Sequence, residues 1–196
     1  MKLLSLRRMG EAAERALRRF PLVLLAAVLA AVFGIIMAED LDEQRYAKLM
    51  MTAQLGIPLF LALGLASGRR DGLSLPRSAW LTLHLVGLGI LVLFHITRPE
   101  QLADPDIVLF LQLNAGFHLL VAVLPFAGRG EVRGMWQFNV ALLLRFITSV
   151  FFSAVLFAGL SVALLALDTL LGVDIDEETY LQLWFAIAFV FNTAYV

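Results

Sequence analysis

Six long apolar stretches limit what this chain can fold into. They cover about residues 20–38, 49–67, 79–97, 107–127, 140–167 and 179–196. The hydrocarbon core of a bilayer is about 30 Å thick, and a helix of roughly 20 apolar residues spans it. A helix also satisfies its own backbone hydrogen bonds in lipid. The sequence therefore predicts an all-α, polytopic transmembrane helix bundle with six spans, organised as a single domain over residues 20–196.

The charges between the apolar stretches predict the orientation. The arm before the first span carries six basic and two acidic residues, and the following loops alternate between net negative and net positive. Basic residues are retained on the cytoplasmic side, so we expect a cytoplasmic N-terminus. Apolar and basic residues in 1–19 separate onto two faces at helical spacing, which predicts a basic amphipathic helix at the interface. It either binds anionic lipid or a partner, or serves only as a topology anchor.

Composition excludes several classes of function. The net charge of -1 gives no basic surface for nucleic acid. Cysteine is absent, which removes disulfides, thiolate metal sites and cysteine nucleophiles. We find no nucleophilic serine motif, no HExxH zinc motif and no phosphate-binding glycine loop. We therefore expect a protein that is not an enzyme, with no catalytic residues, cofactor or metal.

The polar residues inside the apolar stretches are the best pointers to a site, because a polar group in hydrocarbon needs a partner. Arg145, Ser149 and Ser153 lie at i, i+4 and i+8 in the fifth stretch, and Asn192 and Thr193 lie in the sixth. We predict a polar pocket between these two helices near the cytoplasmic face, where Arg145 meets an anion or a lipid headgroup. Alternatively, Arg145 extends to the interface and the serines bond to their own backbone.

A weaker candidate involves the histidines of the third and fourth spans. His84 and His118 have compatible depths, and Asn114 shares a helix face with His118. This arrangement fits either a bis-histidine haem or metal site, or ordinary hydrogen bonds between helices.

The first span carries a row of small residues at every fourth position: Ala26, Ala30, Gly34 and Ala38. Such a row lets another helix approach closely. We expect that helix to belong to the same chain, with a second copy of the chain as the alternative.

Several motifs in the last third of the chain resemble a known family. They are Trp136-Gln137-Phe138-Asn139, Leu144-Arg145-Phe146, Leu156-Phe157-Ala158-Gly159-Leu160, Asp168, Leu171-Gly172-Val173 and Phe191-Asn192-Thr193. This region is similar to a bacterial multi-pass membrane family known as domain of unknown function 4153. The resemblance implies a bacterial inner-membrane location and supplies no catalytic residues. Members of that family are longer, and the chain stops inside its sixth span, so we expect it to be the N-terminal part of a longer protein.

These observations favour a non-enzymatic membrane component, either transporter-like or associated with the cell envelope. Two alternatives stay open: a sensor or scaffold that acts through partners, and an intramembrane enzyme or haem protein that uses His84 and His118. The expected partners are the lipid bilayer, anionic lipid at the N-terminal helix, and another protein or a second copy of the chain.

Overall fold

The computed structural model describes residues 19–39, 42–68, 75–99, 101–128 and 130–195. Within these ranges the chain forms helices joined by short connections and contains no β-strand, which confirms the all-α prediction. The interfacial helix predicted over residues 1–19 lies outside the described residues, apart from Arg19. The α-helices are α1 (Pro21–Ala38), α2 (Glu43–Ser67), α3 (Arg77–Thr97), α4 (Asp104–Val123), α5 (Val132–Leu171), α6 (Glu177–Phe185) and α7 (Asn192–Tyr195).

Five of these helical stretches are long and apolar enough to cross a membrane: α1, α2, α3, α4 with the turn that follows it, and α5. They coincide with the first five apolar stretches of the sequence. The helices also extend beyond those stretches. α2 begins at Glu43 rather than near residue 49, and α5 begins at Val132 rather than near residue 140. Once a helix has formed, each added residue gains a hydrogen bond at little cost in free energy, so the helix continues into the polar flanks.

Proline and glycine set two of the helix ends. α4 ends at Val123 and passes into a 3-10 turn, Leu124–Phe126, because Pro125 has no N–H to donate to the carbonyl of Val121 and so interrupts the α-helical hydrogen bonds. α5 ends at Leu171, where Gly172 adopts a positive φ of 65° and returns its N–H to the carbonyl of Asp168. This is the left-handed cap that glycine favours, and it turns the chain back towards α6.

The sixth apolar stretch forms an interrupted helix. α6 is followed by a π-helical segment, Ala186–Phe191, and then by α7. Because of this interruption, neither α6 nor α7 is long enough to be counted among the helices that could cross a membrane. The boundary predicted at residue 179 lies two residues inside α6, since the helix begins at Glu177.

α2 is the centre of the bundle and α5 lies at its edge. α2 packs against α1, α3 and α4, and half of its most apolar 18-residue window is buried. Only 6% of the corresponding window of α5 is buried. The core is formed by large apolar side chains of these central helices, among them Leu55, Leu59, Phe94 and Phe110. Most of the α5 surface is therefore exposed.

The small residues of α1 make close contacts within the chain, as the sequence predicted. Ala26, Ala30, Gly34 and Ala38 are all buried. A Cβ added at Gly34 would lie 2.7 Å from Cγ of Phe185, so the ring of this α6 residue rests directly on the α1 backbone. Glycine is required here for the close approach, which fixes α6 and the segments after it against α1.

Candidate functional site

α5 and the interrupted sixth helix form an antiparallel pair. The hydroxyl of Ser149 lies 3.1 Å from the backbone carbonyl of Asn192 and also donates to its side-chain Oδ1. Eight residues further along α5, Phe157 packs edge-on against Trp184, which precedes Asn192 by eight residues, with ring centroids 5.3 Å apart. The two contacts therefore define one register along the pair. Ser149 bonds to the neighbouring helix, so the alternative of a bond to its own backbone is wrong for this residue.

The π-helical segment ends at the residue before Asn192. The backbone N–H of Asn192 donates to the carbonyl of Ile187, five residues earlier, as a π-helix requires. A π-helical turn holds one residue more than an α-helical turn, which displaces backbone carbonyls from their usual partners. Short π-helical segments of this kind occur frequently at functional sites. The structure thus places irregular backbone beside the Ser149–Asn192 contact.

Ser153 lies one turn further along α5. Its residue is 4% exposed, and its Oγ has no hydrogen-bond partner among the described residues. The register set by Ser149 and Asn192 places it opposite Ala188, inside the π-helical segment. A buried hydroxyl without a partner costs about 1–3 kcal/mol, so native structures rarely keep one without a reason.

Arg145 lies one turn before Ser149 and is exposed at the surface of α5. It makes no ion pair or hydrogen bond with any residue that the structure describes. Thr193, which follows Asn192, is half-buried, and its hydroxyl likewise has no hydrogen-bond partner within the described ranges. We refer to Arg145, Ser149, Ser153, Asn192 and Thr193 as the polar cluster. The structure joins Ser149 to Asn192 directly and places the other three residues within one turn of that pair.

The depth of the polar cluster follows from the helix contacts. At one end of the bundle, the Gln182 side chain contacts the carboxylate of Glu39 at 3.4 Å. We call this the Glu39 end and the opposite one the Pro21 end. Asn192 lies ten residues beyond Gln182, about 15 Å along the helix. Arg145 lies about 6 Å further towards the Pro21 end, since it precedes Ser149 by one turn. The Ser149–Asn192 pair and Arg145 therefore lie about 15–21 Å from the Glu39 end.

The histidine candidates lie on separate helices and bond locally. Nδ1 of His84 is 2.8 Å from the Trp80 carbonyl, and its ring stacks on Phe60 of α2. Nδ1 of His118 is 2.8 Å from the Asn114 carbonyl, and the His118 side chain is exposed. Nδ2 of Asn114 is buried without a partner among the described residues. One nitrogen of each imidazole therefore bonds within its own helix, and we find no contact between the two rings in the described part of the chain.

The described residues contain no group of three or more His, Cys, Asp or Glu side chains placed to hold a metal ion. Their carboxylates do gather at the Glu39 end, around a shallow cavity of about 330 Å³. It is lined by Glu39, Asp176, Glu178, Thr179 and Gln182. Asp176 and Glu178 stand at the start of α6, where negative charge complements the helix dipole.

Comparison of the chain with protein-family models, curated proteins and solved structures returned no match.

The structure also contains a polar network that the sequence did not reveal. Lys48 is 9% exposed and donates from Nζ to the carbonyl of Arg98 at 2.8 Å. The Arg98 guanidinium bonds to Asp106 at 3.1 Å, and Thr52 lies 3.4 Å from Nδ1 of His95. These contacts tie α2, α3 and α4 together at the Glu39 end. Arg98 follows Lys48 by fifty residues, and helical periodicity carries no information about pairs so far apart.

Proposed function

We propose that the chain is an integral membrane protein with six spans and a cytoplasmic N-terminus, located in a bacterial inner membrane. Five helical stretches with the required length and apolarity support the membrane location. The interrupted helix from Glu177 to Tyr195 would supply the sixth span, because it is one residue longer than α1 and packs beside it. The alternation of loop charges supports this orientation. The proposal includes membership of the family known as domain of unknown function 4153.

Within this membrane protein, the polar cluster acts as a binding site for an anionic or polar ligand, as in a transporter-like component. The observation that carries this proposal is the position of Arg145 along α5, where it is exposed and has no partner among the described residues. With the Glu39 end at one boundary of a core about 30 Å thick, Arg145 lies about 21 Å inside it and about 9 Å from the other boundary. An intramembrane arginine without a protein partner is costly, and such residues usually mark a ligand or ion pathway.

The neighbouring groups suit a ligand that accepts and donates hydrogen bonds. Ser153 offers a buried hydroxyl that no described residue uses, and the π-helical segment adds irregular backbone beside it. Non-helical backbone at membrane depth is tolerated where it lines a cavity or is buried in protein. Arg145 supplies the positive charge that would select an anionic group.

Native mass spectrometry of gently extracted protein tests this proposal. We expect the wild type to retain an anionic lipid or small molecule that Arg145→Gln loses. Arg133→Gln is the matched control, because Arg133 is also exposed on α5 but lies near its start, outside the apolar stretch. Its charge should not affect retention. After delipidation, phosphatidylglycerol should rebind to the wild type, while zwitterionic phosphatidylethanolamine should not.

Two results would count against a binding site in the polar cluster. A wild-type protein that carries no ligand and rebinds neither lipid would favour the sensor or scaffold alternative, which a stable protein partner in a detergent pull-down would then support. Equal retention by Arg145→Gln and Arg133→Gln would place the ligand elsewhere on the protein. Visible absorbance or bound metal in the same sample would instead favour the enzyme or haem alternative.

A further inference from the structure

The π-helical segment sets the direction in which Asn192 points. Before the segment, Trp184 packs against Phe157 of α5. After it, Asn192 accepts a hydrogen bond from Ser149 of the same helix. Trp184 and Asn192 are eight residues apart. In a continuous α-helix, eight residues at about 100° each would turn these two side chains about 80° away from each other.

The extra residue of the π-helical turn corrects this direction. The N–H of Asn192 donates to the carbonyl of Ile187, five residues earlier, and such a turn holds one residue more than an α-helical turn. Taking one residue out of the count leaves seven steps of about 100°, which is about 20° short of two full turns. Trp184 and Asn192 therefore share the face towards α5. The bond between Ser149 and Asn192 depends on the π form.

The sequence of the segment does not itself require a π-helix. Ala186–Phe191 reads AIAFVF, with no proline or glycine to disturb an α-helix. Because π-helices are rare, contacts at its two ends must hold this one. Before it, Phe185 rests on the α1 backbone at Gly34. After it, the hold is the hydrogen bond from Ser149, and one such bond contributes little net stability.

We propose that the π-helical segment is a switch that controls access to Ser149. Ser149 belongs to the binding site proposed above, so this inference rests on that proposed function. In the π form, Asn192 occupies the Ser149 hydroxyl. When the segment becomes α-helical, the residues after it turn by about 100° and Asn192 leaves Ser149. The hydroxyls of Ser149 and Ser153 are then both free to bond to the ligand that Arg145 attracts. A ligand that binds the α form more tightly shifts the population towards that form.

The distance between two spin labels tests the switch, because the chain has no cysteine of its own. Leu144→Cys and Ala194→Cys place the labels at exposed positions, one before Ser149 and the other after Asn192. A helix with its side chains has a radius of about 5–6 Å, so a turn of about 100° moves the second label by about 8 Å. We expect one distance in delipidated wild type. Adding phosphatidylglycerol should produce a second population, shifted by the movement of that label.

Three variants separate the switch from an ordinary helix contact. Ser149→Ala removes the bond to Asn192, so the second population should appear without lipid. Thr148→Ala is the matched control: the Thr148 hydroxyl bonds to the Leu144 carbonyl of its own helix, and its loss should leave the distance unchanged. Deletion of Val190 removes the extra residue, so a continuous α-helix keeps Asn192 on α5. In that background, Ser149→Ala should no longer change the distance.

The outcomes separate the switch from the proposed function. A single, unchanged distance in Ser149→Ala protein overturns the switch, and so does an equal second population in Thr148→Ala protein. Loss of folding on deletion of Val190 contradicts the extra residue. A wild type that binds phosphatidylglycerol in native mass spectrometry but keeps the first distance overturns the coupling to the ligand. If the wild type binds no lipid, the proposed function fails, and the Ser149→Ala distances alone decide the switch.

Discussion

Replacing Gly34 by alanine tests how closely α6 packs against α1. The new Cβ would lie 2.7 Å from Cγ of Phe185, whereas carbon atoms in favourable contact are about 3.5–4.0 Å apart. The buried ring must therefore move by about 1 Å. Overpacking of this kind costs about 1–3 kcal/mol, and the higher helix propensity of alanine returns up to about 1 kcal/mol. We expect Gly34→Ala to lower the free energy of unfolding by about 1–2 kcal/mol.

Unfolding by sodium dodecyl sulfate in mixed micelles measures this loss. Gly159→Ala is the control, because an added Cβ there meets nothing within 4 Å, and it should cost nothing. Phe185→Ala removes the ring, so Gly34→Ala should become neutral or slightly stabilising in that background. The reasoning fails if Gly34→Ala and Gly159→Ala have equal effects, or if the loss persists without the ring.

Two further predictions use the same unfolding assay. Ser149→Ala removes the hydrogen bond to Asn192, so it should lower the free energy of unfolding of delipidated protein by about 0.6 kcal/mol, and by at most about 1.7 kcal/mol. Ser153→Ala should cost nothing, because the Ser153 hydroxyl has no hydrogen-bond partner among the described residues. Equal losses would contradict this assignment. Asp106→Asn should cost about 0.5–1 kcal/mol, since it removes the ion pair with the partly exposed Arg98, and the loss should shrink as salt is added. A loss independent of salt would show that packing dominates.

The sequence predicted the helices better than the contacts between them. Long uninterrupted apolar runs located five helical stretches, and the spacing of small residues in α1 predicted its close packing. The ends of α2 and α5 were missed because helices continue into polar flanks. Apolar content also gave no sign of the π-helical segment, which has the same residue types as its neighbours.

The polar cluster was predicted as a set of residues, but the pairing between its two helices was predicted one turn out of register. Counting residues from the start of the sixth stretch put Asn192 level with Arg145. The register of the helix pair instead places it opposite Ser149, one turn away. This register depends on how Phe157 of one helix packs against Trp184 of the other. The sequence of either helix alone does not specify that contact. The Lys48–Arg98 contact was missed for the same reason, because it joins different helices.

A depth measurement beside Arg145 tests the central claim most directly. Leu144 is 58% exposed and adjacent in sequence, so a nitroxide on Leu144→Cys reports the depth of this turn in reconstituted bilayers. We predict that oxygen relaxes the label more effectively than a water-soluble nickel complex does, corresponding to a position about 9 Å inside the hydrocarbon boundary. A label relaxed mainly by the nickel complex would place Arg145 at the interface, where water satisfies its charge and no ligand is required.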